Sequence, residues 1–486
     1  MAYRYGDDRH QMLLFPDRLD SYVSDDHPVR AYDAFVDHLN FKDLGIDEDD
    51  NRVGNPEYHP HLMLKLLLYS YSYGVQSSRK IEREVYNNVT FIWLVKNLKP
   101  DHKTIAEFRR RNKKALHKAL VLCARLCLKL NLIDGNILFL DGTKIRANAG
   151  RSNNHTQQWY QDQLKSLETR ITSLLADCER LDDEESDQGS LVKMQKELSQ
   201  AQTLQSKIKD ALDEFQRYDH SATQGSTLRT INSTDPQCAL MRSVQGSHAS
   251  YNVQSVVDEK HGLIVHTDAV NNATDVNQFS VQIEKAKSSL DKSPKVACAD
   301  AGYADTQELT KIQSQGTLVI VPSKKQAHRH DPKPFGKEAF IYDEKEDSYL
   351  CPEGHALGYD SLDHKRKKIF YRISDPKTCL LCKHFGVCTQ SDRGRKISRL
   401  FYEKDLIALQ RQYEDPASQE IYKKRKCKVE LPFGHIKHNL GITQFLMRGK
   451  DAARAESAIG SVCFNVTRMI TLLGGVQAFM KALPGT

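Results

Sequence analysis

The apolar period of the chain changes at about residue 133, and that change limits the fold more than any other feature. Over the first 130 residues apolar side chains recur at helical spacing, in HLMLKLLLYSYSYG, SSRKIEREVYNN and TIAEFRRRNKKALHKALVLCARL. Recurrence every three or four residues describes one apolar helix face. In NILFLDGTKIRANA the pattern becomes a compact apolar run, 137–140, that stops at Asp141 and Gly142. This predicts a buried strand with Asp141 at its carboxyl end. Strand-like stretches return in SYNVQSVVDEKHGLIVHTDAV, with DEKHG as the turn of a hairpin, in KVACAD, which ends at Asp300, and in TLVIVPS. AGYADTQEL opens a helix between the last two. Strands and helices alternating in this way give an α/β sheet with mixed pairing. Open α/β sheets collect ligands outside the carboxyl ends of their strands. Asp141 and Asp300 therefore share one rim if their strands are parallel neighbours.

A different rhythm interrupts this pattern. Leu164, Leu167, Ile171, Leu174, Cys178 and Leu181 alternate by three and four, and after DDEESDQGS the spacing resumes at Leu191, Met194, Leu198, Ala201, Gln205, Ile208, Leu212 and Phe215. Two such seams form either an antiparallel helical hairpin inserted into the sheet domain or a dimerising coiled coil.

A length of 486 residues allows two to four domains. The net charge of +7 is too small for a uniformly basic, histone-like protein. Its distribution says more. Residues 323–450 carry 27 basic and 17 acidic side chains, a local +10 that leaves the remainder at −3. A polyanion-binding half, most simply for nucleic acid, follows. In the amino-terminal part, Asp101 is a good cap for a helix bearing Lys103, Arg109, Arg110, Arg111, Lys113 and Lys114. That helix is either the reading element of a helix-turn-helix-like unit or a solvated charged face.

The start, MAYRYGDDRHQ, is charged where a secretory signal would be apolar, and no apolar run reaches the roughly 18–20 residues of a membrane span. The chain is expected to be cytoplasmic. Eleven cysteines, an odd number, argue for reduced thiols or metal ligands over disulfides. Cys351, Cys379, Cys382 and Cys388, in YLCPEGH and CLLCKHFGVC, can supply four thiolates to a structural zinc, with His355 or His384 as substitutes for one of them. Free buried thiols are the competing reading.

Hard divalent cations take carboxylate oxygens of the kind Asp141 and Asp300 offer. A third is suggested by IYKKRKCKVELPFGHIKHNLG, in which Glu430 is the only acid among Lys423, Lys424, Arg425, Lys426, Lys428 and Lys437. A lone acid in a basic run suits a metal ligand beside bound phosphates. Pro432 removes a backbone donor just after it, so the helix is expected to kink or restart there. Asp258, Asp268, Asp275 and Asp305 read as turn formers.

LDGTKI at Asp141, ADAGY at Asp300 and the Y-x2-R-x4-E-x2-F-x3-K pattern over 422–437 together resemble the DDE-type transposases of bacterial insertion sequences. GNPEYHPHLMLKLLLYSYSYG, SSRKIE and PDHKTIAEFR resemble the amino-terminal part of one subgroup, so the likeness runs over nearly the whole chain. The resemblance implies an RNase H-like mixed sheet flanked by helices, with Asp141, Asp300 and Glu430 as catalytic ligands of magnesium or manganese. It places Tyr422, Arg425 and Lys437 at DNA near the cut. Many relatives have three residues between the arginine and the glutamate. Arg425 has four, and Lys426 has the three-residue spacing.

The expected organisation is a helical DNA-binding domain over 1–132, the first part of the catalytic core over 133–322 with the inserted hairpin at 157–217, a basic Cys-containing insertion over 323–415, and the catalytic and carboxyl-terminal helices over 416–486. The expected activity is cleavage at terminal inverted repeats of double-stranded DNA and strand transfer to target DNA, by a homodimer associated with the nucleoid. A catalytically idle DNA-binding regulator and a plain hydrolytic nuclease are the alternatives.

Overall fold

The computed structural model describes residues 18–46, 57–183, 188–221, 230–243, 246–327 and 334–483, and within its helices leaves out the side chains of 178–183, 188–192 and 217–221. The charged start, the GNP of the family-like stretch, the seam positions Cys178, Leu181 and Leu191, and all side chains of the DDEESDQGS break lie outside the described residues.

Six strands form the central sheet: β1 (Ile137–Arg146), β2 (Ala239–Ser243), β3 (Gly246–Asp258), β4 (Ile264–Val270), β5 (Val296–Cys298) and β6 (Leu318–Ile320). β3 is antiparallel to β1 on one edge, and its other edge is divided between β2 and β4. β5 lies parallel to β1, and β6 parallel to β5. The order is therefore β2 and β4, then β3, β1, β5 and β6. β5 and the apolar start of β1 are covered on both faces, which is why they read as unbroken apolar runs without alternation. The DEKHG hairpin forms, with Gly262 at φ +71 and Asp258 accepting from Lys260 N at 3.0 Å.

β1 does not stop at Asp141. The 13-residue β3 continues to offer backbone partners, so Asp141 pairs with Ser255 and the ladder runs on to Arg146 opposite Ser250. The acid is delivered in mid-strand, fixed by hydrogen bonds on both sides of it.

The amino-terminal part consists of helices, including α1 (Pro28–His38), α2 (Pro60–Ser72), α3 (Ser78–Asn87), α4 (His102–Arg111) and α5 (Lys113–Lys129). Asp101 caps α4 by accepting from Thr104 N at 2.7 Å. These helices do not bury a separate core. One apolar core runs from Val23 through the sheet to Leu483. Two long helices, α6 (Gln157–Asp183) and α7 (Gln188–Ser221), pair antiparallel around Tyr160, Leu167, Ala201, Ile208 and Phe215, with Arg170 3.7 Å from Glu197. Their seam closes within the chain.

After the sheet, an antiparallel meander of β7 (Ile341–Asp343), β8 (Ser348–Leu350), β9 (Ala356–Asp363), β10 (Lys368–Ile373) and β11 (Lys396–Leu400) encloses a small core of its own. The chain then enters α8 (Pro416–Gly434) and finally α9 (Lys450–Leu473). α8 passes through Pro432 without ending and widens to π spacing over His435–Asn439. The carbonyl of Lys428, which Pro432 cannot engage, faces Gly262, where an ideal Cβ would stand 3.5 Å away. α9 is buried on nearly every side from Ala452 to Val466, and its Asn465 amide grips both N–H and C=O of Ile264 at 2.9 and 2.8 Å. Among the described residues no single helix is long and apolar enough to cross a membrane.

Candidate active site

Phe139 on β1 and Cys298 on β5 are register partners, and two residues beyond them stand Asp141 and Asp300. Two steps along a strand return a side chain to the same face. Asp141 Oδ1 accepts from Gly142 N and Asp300 Oδ1 from Gly302 N, each at 2.8 Å, so neither carboxylate rotates freely. Across from them α8 presents Arg425, whose Nη1 lies 3.4 Å from Asp141 Oδ2. The Arg425 side chain is only 13% exposed, and its Nη1 has no hydrogen-bond partner. Burial works against its charge, and the facing carboxylates of Asp141 and Asp300 outweigh burial. Burial pushes the Asp141 carboxyl up to about 6, Arg425 pulls against this, and the neighbouring charges of Asp300 and Asp275 add to it.

Asp275 was expected to be a turn former, like Asp258, Asp268 and Asp305. Those three are structural: Asp258 accepts from Gly135 N, Asp268 is paired with Arg454 and Lys285, and Asp305 caps a helix. Asp275 instead reaches the rim. Its Oδ1 accepts from Asn252 Nδ2 at 2.8 Å and from Gln254 Nε2 at 2.7 Å, while Gln254 Oε1 accepts the hydroxyl proton of Tyr303. Two glycines admit it. A Cβ on Gly142 would stand 2.8 Å from Asp275 Oδ1 and 2.6 Å from Gln254 Nε2, and one on Gly302 would stand 3.4 Å from Asp275 Oδ2 and 2.8 Å from Asp300 Oδ1. The sequence did carry a signal: Asn252 and Gln254 alternate within an apolar strand, and both are buried, so each needs a polar partner.

Glu430 does not join this group. Its side chain is 64% exposed, and Lys426, itself exposed, lies 4.0 Å away. Among the described residues no three His, Cys, Asp or Glu side chains stand in the geometry to hold one metal ion. The chemistry of the donors nevertheless fits a hard divalent cation at Asp141 and Asp300, where carboxylates crowd one rim with a single buried cation facing them. Lys437, half-buried, donates to Thr143 Oγ1, two residues along β1 from Asp141. Tyr422 packs edge-on against Tyr413 at 5.1 Å and under Arg425. α8 thus brings Tyr422, Arg425 and Lys437 over the rim and leaves Lys426 and Glu430 outside it.

The arginines of α4 divide. Arg110 and Arg111 are exposed and both pair with Glu107. Arg109 turns inward, donating Nη1 to Tyr71 Oη at 2.9 Å and to the Gln76 carbonyl at 3.1 Å. This corrects the expectation of three arginines on DNA: helix phase sends the first of the three into the core. Cys351, Cys379, Cys382 and Cys388 line one small cavity of about 30 Å³ in the meander.

Residues 17–111 match the family model described as Transposase domain (DUF772), and residues 350–470 match the model described as Transposase DDE domain. The second span contains Tyr422, Arg425, Glu430 and Lys437, whereas Asp141, Asp275 and Asp300 lie outside both. No curated protein and no solved structure gave a match.

Proposed function

Proceeding from a chain that belongs to the DDE-type transposases of insertion sequences, we propose that it binds the terminal inverted repeats of its own element, cuts there and joins the ends to target DNA. The observation that carries this reading is the pair Asp141 and Asp300, each two residues beyond the last register partners of two neighbouring parallel strands, with Arg425 closing over them. The strand order, β4, β3 and β1 antiparallel and continued by the parallel β5 and β6, with the short β2 beside β4 on the edge of β3, supports an RNase H-like core. We assign that core to 133–322 together with 416–486, end recognition to 1–132, and the supporting insertions to 157–217 and 323–415.

In this reading Asp141 and Asp300 hold magnesium or manganese. When bound, the metal ions supply an activated water or DNA 3′-hydroxyl and steady the leaving oxygen, in two-metal fashion. The remaining work falls to side chains. Arg425 and Lys437 meet phosphate oxygens along β1, and the ring of Tyr422 holds Arg425 in place. Asp275, fastened by Asn252 and Gln254, is a positioning residue that sets the spacing of Gly142 and Gly302 and hence of both acids. Glu430, which helix phase leaves outside the rim, completes the set only when α8 turns or shifts on bound DNA. Two DNA ends must be held together, so a homodimer on DNA, within the nucleoid, is part of the proposal.

The test is cleavage of a plasmid carrying the gene with its native flanks, by purified protein and magnesium, beside Asp300→Asn. Cuts at a pair of inverted repeats with joined products, lost in the variant, are expected. Binding without cutting would point to an idle regulator, and unspecific degradation to a nuclease. Either would overturn the reading.

A further inference from the structure

The meander β7–β11 is poorly provided with apolar contacts. Six side chains, Phe340, Tyr349, Leu357, Tyr371, Ile373 and Ile397, form its buried core, while Leu381 and Val387 are 87% and 71% exposed. A unit of this size with so little buried surface needs a covalent or metal staple. It has no disulfide: Cys351, Cys379, Cys382 and Cys388 are all free.

The four thiols come from three places. Cys351 follows β8, Cys379 and Cys382 lie on and just after the short helix Pro376–Leu380, and Cys388 sits in the next turn. All four line the same cavity, walled by Phe335, Phe340, Leu357 and Ile373. Three of the sulfurs accept backbone N–H groups: Cys351 from His355 at 3.3 Å, Cys382 from His384 at 3.5 Å and Cys379 from Arg395 at 3.4 Å. Amides aimed at sulfur fix the direction in which the side chains point, into the shared cavity. The approach of Arg395 depends on Gly394, at φ +74, where a Cβ would stand 2.3 Å from Ile373 Cγ2 and 3.4 Å from Cys379 Sγ. Arg395 also donates to the Cys388 carbonyl at 2.6 Å, which places a fixed positive charge beside the cluster.

The histidines are otherwise engaged. His384 Nε2 faces Glu353 Oε1 at 3.1 Å and its ring lies against Phe335, while His355 contributes its backbone amide. We propose that Cys351, Cys379, Cys382 and Cys388 bind one structural zinc ion as four thiolates, stapling the meander that leads into the helix bearing Arg425. In the structure the sulfurs are not drawn in to tetrahedral spacing, and side-chain rotation is the closing movement left to them. Four protein ligands leave no open position, so the ion has no part in DNA chemistry. The proposal stands independently of the transposition reading.

Full-length protein from zinc-supplemented culture, dialysed without chelator, is analysed for metals by plasma mass spectrometry. About one zinc per chain is expected, retained in Cys427→Ser and in Asp300→Asn and lost in Cys382→Ser/Cys388→Ser. Cobalt in place of zinc should give the sulfur charge-transfer and visible bands of a tetrahedral thiolate site. Mercurial release from the unmodified protein, read with a zinc-sensitive dye, gives the same count if the double variant does not fold. Absence of zinc with all four thiols open to a thiol reagent, or equal zinc in the double variant, overturns the proposal. Neither result depends on whether DNA is cut.

Discussion

Two inward-facing arginines, Arg109 on α4 and Arg425 on α8, are set in opposite surroundings. Arg109 gives its Nη1 to Tyr71 and the Gln76 carbonyl, and burial raises the carboxyl of Glu456, which is 1% exposed, with the charge of Arg109 offsetting only part of it. Glu456 in turn accepts from the amides of Leu446 and Met447. Arg425 faces Asp141 at 3.4 Å without a hydrogen bond at Nη1, and further carboxylates stand behind. Each side chain keeps one buried nitrogen without a hydrogen bond, Nε in Arg109 and Nη1 in Arg425, so the difference is one of place: Arg109 is closed inside the helical core, whereas Arg425 faces a rim where acids converge and an external group can arrive.

The comparison breaks first at the acids. Asp141→Asn, Asp300→Asn and Glu430→Gln are each expected to reduce strand cleavage on the order of 10²–10³-fold or more, with binding to end DNA nearly intact. Gel-shift and cleavage assays on the same preparation check this, and a parallel loss of binding would remove the ligand roles. Next come the arginines themselves. Arg109→Met takes a charged donor from Tyr71 and the Gln76 carbonyl and should cost about 1.5–3 kcal/mol in denaturant unfolding. Arg425→Met should cost well under that, because its Nη1 makes no hydrogen bond that would be lost, yet it should abolish cleavage. Equal stability losses would erase the distinction.

The pH dependence sharpens it. A carboxyl raised to about 6 in the folded chain contributes stability that is complete below its unfolded value of about 4 and is lost as pH rises through the folded value. Metal binding needs the charged form, so cleavage should fall about tenfold per pH unit below the midpoint, and the midpoint should move down as magnesium is raised. Asp275→Asn removes one like charge from Asp141 and should also move the midpoint down, measured by pH–rate profiles at fixed magnesium. The smallest effects belong to the exposed pair. Arg110→Ala and Arg111→Ala should change stability by no more than about 0.5 kcal/mol. If they meet phosphate, each lowers the salt slope of end-DNA binding by about one.

The change of period at residue 133, the DEKHG hairpin, the Asp101 cap and the helical spacing along α6 and α7 were all legible because each is a local pattern, whereas the choice between a hairpin and a dimerising coiled coil was left open. The rim was half legible. Asp141 and Asp300 announced themselves as polar ends of apolar runs, but the continuation of β1 past Asp141 depended on a partner strand more than 100 residues away. Asp275 was passed over because its meaning lies in Asn252, Gln254 and two glycines that reach it only after folding. Arg109 was misread for the converse reason: a run of three arginines looks like one charged face until helix phase and Tyr71 assign the first to the core.

The sequence by itself determined the main helices and the apolar strands of the sheet, which residues carry acid, base and thiol, and that the basic charge gathers in the later half, since these follow from side-chain chemistry and periodicity along one dimension. Only the tertiary structure decided which of those groups meet. Parallel pairing of β1 with β5 put two acids side by side, while helix phase on α8 brought Arg425 in and left Glu430 out. Such distances depend on register and crossing between elements far apart in the chain, and no local pattern encodes them.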